Sequence, residues 1–172
     1  MKRAVAVLFV VLLFAVGKGW AAQPVKIGVV DLQRVVSECR AGVKARSLLQ
    51  KRTEELNNDL KSMLSELEKE KAQFDKDAPQ LSEDARAEKE KRLQKKGREL
   101  QNRQREAQEE VKQMEADSLK KLVGHLNDLM EKIGNEGGYA AILDKKNGVF
   151  YAGKDVDLTS LIIKRADAEY GK

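Results

Sequence analysis

The sequence predicts an α+β protein, predominantly α, in which a long antiparallel helical hairpin, a coiled-coil arm, projects from a small β-rich oligomerisation head. Three observations lead to this fold class. Apolar residues recur at alternating spacings of three and four along two long segments. The only proline in that region, Pro79, stands between the two segments, where a helix must break. Short β-branched segments flank the arm at both ends.

The N-terminal leader, residues 1–21, has the features of a cleavable export signal. Lys2 and Arg3 form a basic start, and residues 4–16 form an apolar core that is too short to span a bilayer. Small residues precede the expected cleavage after Ala21. Removal of the leader lowers the net charge from +5 to +2, because it carries three basic residues and no acidic one. We expect an exported, nearly neutral chain; an uncleaved anchor is the alternative.

Residues 22–37 are predicted to form the first part of the head. A β-branched run over 25–31 reads as a strand, and helical spacing begins at about Leu32. Cys39 is the only cysteine, so an exported chain of this kind has no intramolecular disulfide. We expect Cys39 to pack at the base of the arm opposite Leu122, and an intersubunit disulfide is the alternative.

The arm is predicted to cover residues 38–133, with its turn near 77–82. The first helix runs from about residue 32 to 77, and the return helix starts after Ser82, a good N-cap, and ends near residue 133. Folding the chain at Gln80 makes the two apolar series face each other. The opposed positions are Leu67 with Leu93, Leu60 with Leu100, Thr53 with Ala107, Leu49 with Val111, and Met63 with Gly97.

Residues 134–172 are predicted to complete the head. The Asn147-Gly148 pair indicates a β-hairpin between strands over 139–143 and 149–152, and Asp157 is the expected cap of a last helix. Three short strands cannot bury both of their faces, so association of several heads is expected. The candidate oligomerisation residues are Ile27, Val29, Ile142, Val149 and Phe150.

The sequence offers no catalytic, cofactor or metal site. Its single histidine, His125, lies beside a leucine stripe with no nucleophile or metal-ligand set around it. The return helix instead carries a local excess of positive charge, either a solvated face or a surface that attracts acidic clients or anionic lipid headgroups. The near-neutral exported chain and the absence of aromatics there argue against nucleic acid. The basic residues are Lys89, Lys91, Arg92, Lys95, Lys96, Arg98, Arg103 and Arg105.

Three segments of the chain resemble the Skp/OmpH family of periplasmic chaperones. They are KIGVVDLQRVV at 26–36, AGVKA at 41–45 and GYAAILDKKNGVFYAGKDVDLT at 138–159. The resemblance implies a periplasmic homotrimer whose heads join and whose three arms enclose a cavity. It also implies a holdase, not an enzyme, which works without ATP or a cofactor and keeps unfolded outer-membrane β-barrel proteins from aggregating.

A structural or tethering coiled-coil protein of the cell envelope is the alternative function. Such a protein would use the basic part of the arm to bind anionic lipid or lipopolysaccharide. The two functions differ in partner, since a holdase requires unfolded protein and a tether requires a membrane or a folded partner.

Overall fold

The computed structural model describes residues 25–171, so the predicted leader and its cleavage site lie outside the described residues. The elements in chain order are β1 (Ile27–Val30), α1 (Leu32–Glu38), α2 (Arg40–Asp77), α3 (Glu83–Gly137), β2 (Ala141–Asp144) and α4 (Thr159–Tyr170). Single turns of 3-10 helix occupy Ala78–Gln80 and Lys154–Val156. The predominantly helical α+β class, with a long helical arm, is confirmed.

Helices α2 and α3 form the antiparallel arm. At 1.5 Å per residue, the 38 residues of α2 extend over about 57 Å and the 55 residues of α3 over about 83 Å. The turn between them contains Pro79 and lies within the predicted range. Ser82 caps α3, because its side chain accepts a hydrogen bond from the Ala85 amide at 3.4 Å. Arg86 donates to the Ala78 carbonyl at 2.6 Å and ties the start of α3 to the turn.

The first predicted helix is interrupted at Cys39, which the sequence interpretation did not foresee. Cys39 adopts an extended backbone with ψ of 149°, so α1 and α2 are separate helices. They meet closely at Gly42, where a Cβ atom would stand 1.8 Å from the Val36 carbonyl oxygen. The Cys39 thiol is fully buried in the core cluster that also contains Leu122, which agrees with the predicted packing role.

The sheet contains two parallel strands, β1 and β2, with Ile27 opposite Ala141 and Val30 opposite Asp144. The predicted β-hairpin is therefore wrong. Asn147-Gly148 does form a turn, with φ of 91° at Gly148, but the chain beyond it makes no ladder with β2. The predicted strand over 149–152 is absent, and the sheet of the described chain contains only β1 and β2.

The hydrophobic core lies where the ends of the arm meet the strands. Leu126 and Leu129 of α3 pack there with Ile162 of α4 and Val35 of α1, and none of these side chains is exposed. Helix α3 continues one turn beyond the predicted end and stops at Gly138, which adopts a left-handed conformation with φ of 64°.

Two side chains close the head around the start of α4. The expected cap at Asp157 is wrong by one residue, because Leu158 occupies the N-cap position of α4 and makes no side-chain cap hydrogen bond. Asp157 accepts a hydrogen bond from the Thr159 amide at 2.9 Å, and this bonding to Thr159 lowers the pKa of Asp157. The buried Thr159 hydroxyl in turn accepts from the Asp31 amide at 2.9 Å. The C-terminal helix is thereby joined to the end of β1.

Candidate functional site

The seam of the arm buries few side chains. Leu56 of α2 is 3% exposed and Ala107 of α3 is 5% exposed, and most other seam positions are half-buried. Leu67 and Leu93, which oppose each other when the chain is folded at Gln80, line one surface depression together. Leu60, Thr53, Ala107 and Val111 line a second depression. These depressions therefore bring together residues of the two helices that the prediction opposes, and the apolar contact between the helices is thin.

Ion pairs also join the two helices of the arm. Within residues 25–171, five such pairs join α2 to α3. They are Arg52–Glu110 at 2.6 Å, Asp59–Arg103 at 2.8 Å, Glu70–Lys96 at 2.5 Å, Glu70–Arg92 at 3.4 Å and Asp77–Lys89 at 3.1 Å. All of these side chains keep some exposure to water, so each pair contributes modestly and is weakened by salt.

Three of the acidic partners, Glu110, Glu70 and Asp77, have lowered pKa values. The hydrogen bond from Arg52 lowers the pKa of Glu110, and the hydrogen bond from Lys96 lowers that of Glu70. Lys89 has the same effect on the pKa of Asp77. Each carboxylate is therefore held in its charged form by a cation of the opposite helix.

The eight residues of the predicted basic surface differ in the partners that the structure gives them. Lys89, Arg92, Lys96 and Arg103 belong to the cross-arm ion pairs, and Lys95 pairs along its own helix with Glu99 at 3.8 Å. Arg105 donates to Asn102 at 3.2 Å. Lys91 and Arg98 have no ion-pair partner in the described part of the chain. The positive charge available to a partner is thus smaller than composition alone suggests.

The sequence interpretation missed the acidic residues that use up this charge. Glu70, Asp59 and Asp77 lie on the first helix of the arm, and the excess was assessed along the return helix alone. These ion pairs could have been predicted from the sequence, because folding the chain at Gln80 places position 70 opposite the segment that holds Arg92 and Lys96. Charges have to be assessed across the hairpin, between residues that face one another.

The candidate oligomerisation residues differ widely in their exposure to solvent. Phe150 is fully exposed and Ile27 is 43% exposed, whereas Ile142 and Val149 are half-buried. Val29 is 4% exposed and lies inside the protomer's own head, so it cannot serve as a contact surface. Tyr151, which was not among the candidates, is 88% exposed beside Phe150. The outer edge of β2 carries no paired strand within residues 25–171.

A family model described as outer membrane protein (OmpH-like) matches residues 26–165. The chain belongs to the OmpH-like family. The predicted family is thereby confirmed. A solved structure from Caulobacter crescentus CB15, described as a candidate outer membrane chaperone (OmpH-like), is similar with a TM-score of 0.81. It is 20% identical over 91% of this chain and 93% of its own, a likeness that shows the fold. No curated protein matches the chain.

The single histidine of this OmpH-like chain has a structural partner. His125 stacks on Tyr170 with ring centroids 4.5 Å apart and an interplanar angle of 7°. Within residues 25–171, no group of three or more His, Cys, Asp or Glu side chains is arranged to hold a metal ion. Over the same range, no helix combines the length and apolarity that crossing a bilayer requires.

Proposed function

We propose that this OmpH-like chain is an ATP-independent holdase chaperone of the periplasm, which binds unfolded outer-membrane β-barrel proteins and prevents their aggregation. The observation that carries the proposal is the contrast between a well-buried head and a long arm with a thin seam. The solved relative from Caulobacter crescentus, described as a candidate outer membrane chaperone, supports the same class of function.

In the proposed assembly, three copies join through their heads. The unpaired edge of β2 and the exposed Phe150 and Tyr151 would gain partners in this way. A neighbouring copy would also supply the strand partner that residues 149–152 lack within one chain. We propose this surface in place of Val29, which is buried inside its own protomer.

The arms would then surround a shared space in which the client is held. Side chains such as Leu64 and Leu119 remain about half exposed along the arm helices, and they offer shallow apolar contacts. Many weak contacts made at once hold a client firmly, while each contact can break without ATP. Unfolded barrel proteins suit this mode because their alternating apolar residues are exposed and prone to aggregate.

Light scattering tests the proposed function directly. A urea-denatured outer-membrane barrel protein is diluted into buffer with the mature chain and without ATP. We expect suppressed scattering at about one trimer per client, and an equal mass of a soluble helical protein serves as the control. Unchanged scattering in the presence of folded, oligomeric chain would contradict the holdase. Binding of the same chain to anionic vesicles would then favour the envelope tether.

The charge of the arm is tested by a variant that leaves its ion pairs intact. Lys91→Glu with Arg98→Glu reverses two cations that have no ion-pair partner in the described chain. We expect slower capture of an acidic client at low salt and convergence with the wild type at high salt, because screening removes steering. Lys154→Glu with Lys164→Glu, a matched reversal in the head, should capture at the wild-type rate. Equal low-salt rates for both variants would remove the electrostatic contribution.

A further inference from the structure

The turn that follows β2 contains a pair of residues with unusual chemical reactivity. Asn147 stands directly before Gly148, and both residues are exposed. The chain beyond the turn makes no ladder with β2, so no partner strand of the described chain holds this segment in place. A backbone amide that follows asparagine can attack the asparagine side chain, and glycine permits the attack best because it has no Cβ to hinder its nitrogen. The pair is therefore a candidate site of covalent change.

The other asparagines of the sequence lie in protected positions. In a helix, the amide that follows an asparagine donates to the carbonyl four residues earlier, and the fixed backbone prevents the rotation that the attack requires. Within residues 25–171, Asn147 is the only asparagine outside a helix. The five others, all in the two helices of the arm, are Asn57, Asn58, Asn102, Asn127 and Asn135.

The Gly148 amide nitrogen is available for the attack. It donates no hydrogen bond to any residue of the described chain. Gly148 adopts a left-handed φ of 91°, and no atom lies within 4 Å of the position that a Cβ would occupy. The Asn147 side chain makes one exposed hydrogen bond, in which its Nδ2 donates to Asp144 Oδ2 at 2.9 Å. Exposed hydrogen bonds exchange readily with bonds to water, so this contact slows the side chain without fixing it.

We propose that Asn147 is a site of spontaneous modification, at which attack by the Gly148 amide converts the side-chain amide to a carboxylate. The Gly148 nitrogen loses its proton and bonds to Cγ of Asn147, and the Cγ–Nδ2 bond breaks as ammonia leaves with that proton. The product is a cyclic succinimide. Water, the only co-reactant, then adds to one of the two ring carbonyl carbons, and the bond from that carbon to the Gly148 nitrogen breaks. Position 147 becomes aspartate or isoaspartate, depending on which carbon is attacked.

The modification acts on the carboxylate that organises this turn. Asp144 Oδ1 accepts from the Leu32 amide at 3.4 Å and from the Lys146 amide at 3.3 Å. Asp144 Oδ2 accepts from Asn147. A carboxylate at position 147 removes this donor and places a second negative charge beside Asp144, which repels it. Isoaspartate also lengthens the main chain within the turn, so both products loosen it.

A looser turn is expected to weaken the joining of heads. Phe150 and Tyr151, the exposed aromatic residues of the proposed assembly surface, follow the turn directly. A change in the turn alters how the chain presents them to a neighbouring copy. This consequence rests on the proposed function, whereas the modification itself does not.

Peptide mapping of the full mature chain tests the modification. Trypsin cleaves after Lys146 and Lys154, and so releases residues 147–154 as a peptide with a single asparagine. The folded chain is incubated at neutral and at mildly alkaline pH, and mass spectrometry follows this peptide. We expect the amide-to-acid mass change to accumulate with time, and faster at the higher pH because the attacking nitrogen must lose its proton. Labelling with an isoaspartyl methyltransferase counts the isoaspartate product separately.

The helical asparagines and one variant provide the controls. Peptides that contain Asn102 or Asn127 should keep their mass in the folded chain. Asn147→Gln should show loss of conversion, because its longer side chain closes a larger ring much more slowly. No accumulation of acid at residue 147 would overturn the proposal. A rate in the folded chain far below the rate in guanidinium chloride would overturn it as well, since the turn would then protect the site.

A mimic of the product tests the consequence for assembly. Asn147→Asp installs the carboxylate, and Asn127→Asp makes the same change at an exposed position of α3 outside the turn. Light scattering after size-exclusion chromatography should show loss of the assembled mass on dilution for Asn147→Asp alone. Equal masses for the two variants at every concentration would contradict the effect on assembly. A wild type that is itself monomeric would reject the proposed assembly, and the peptide map would still decide the modification.

Discussion

The arm and the head are built partly from the same helix, yet they are held together by different forces. In the head, α3 places Leu126 and Leu129 against Ile162, and all three side chains are excluded from water. In the arm, the same helix buries little apart from Ala107, and it is joined to α2 by half-buried apolar side chains and by partly exposed ion pairs. Hydrophobic burial is worth more than exposed ion pairing, so the stability of the chain is concentrated in the head.

The difference suits a protein whose two ends have different tasks. A head that must keep one arrangement requires close packing, because packed cores have a single low-energy state. An arm that meets many different clients gains from contacts that break and form again at low cost. Equivalent substitutions in the head and in the arm should therefore have different effects.

A matched pair of phenylalanines gives the largest expected contrast. Phe150→Asp introduces a charge at a fully exposed head position, and we expect the oligomer to dissociate while the protomer stays folded. Phe74→Asp introduces the same charge at a half-buried position near the tip of the arm, where it should loosen the seam and leave the assembly intact. Light scattering after size-exclusion chromatography measures both masses. A Phe150→Asp protein of unchanged mass would exclude this residue from the assembly surface.

Cavity-forming substitutions compare the two cores directly. Ile162→Ala in the head should lower the free energy of unfolding by about 3 kcal/mol, because the side chain is fully buried. Leu100→Ala in the half-buried seam should cost about 1 kcal/mol. Urea denaturation followed by circular dichroism measures the two values. If both substitutions cost the same, the arm and the head do not differ in packing as described.

Substituting alanine for each of two glycines should change the stability of the chain in opposite directions. Gly42→Ala should destabilise the chain by about 2 kcal/mol, since the new Cβ would meet the Val36 carbonyl at 1.8 Å. Gly97→Ala should stabilise the arm by up to about 1 kcal/mol, because nothing lies within 4 Å of the new methyl group and alanine favours helix. Thermal unfolding of both variants measures the changes. Destabilisation by Gly97→Ala would show that the arm requires the glycine.

Lowering the pH should destabilise the arm before it destabilises the head. We expect this to be the smallest of the four predicted effects. Glu110 and Glu70 have pKa values in the folded chain below the usual 4.5, so their charged forms favour folding. That contribution is complete above the unfolded pKa and disappears as pH falls below 4.5 through the lower folded values. Hydrogen exchange should therefore quicken in the arm over this range. Glu110→Gln should flatten the pH dependence near Arg52, and an unchanged dependence would contradict the pairing.

The arm was predictable because its information is local and repeated. Apolar spacing, Pro79 and the Ser82 cap each point to the same hairpin, and an error at one position is corrected by the others. The interruption at Cys39 left no such signal. It depends on the close approach of α1 to α2 at Gly42, a tertiary contact that periodicity does not register.

The head was less predictable because its contacts join distant parts of the chain. The Asn147-Gly148 pair correctly indicated a turn, but β2 pairs with β1, more than one hundred residues earlier, instead of with the segment that follows the turn. The oligomerisation surface was hard to predict for the same reason. Val29 and Phe150 were both chosen because they are hydrophobic, although Val29 is buried and Phe150 is exposed. Only the three-dimensional arrangement separates residues that build the protomer from residues available to a neighbour.

The parallel pairing of β1 with β2 also has a consequence for the order in which we expect the chain to fold. Joining residues 27–30 to residues 141–144 through an unstructured loop would carry a large closure entropy and would be slow. A hairpin that zips from its turn at Ala78–Gln80 shortens this loop step by step, since each added turn of helix brings the two ends closer. We therefore expect the arm to form before the strands of the head pair. Its length can change by equal numbers of residues on both helices without altering where the strands meet.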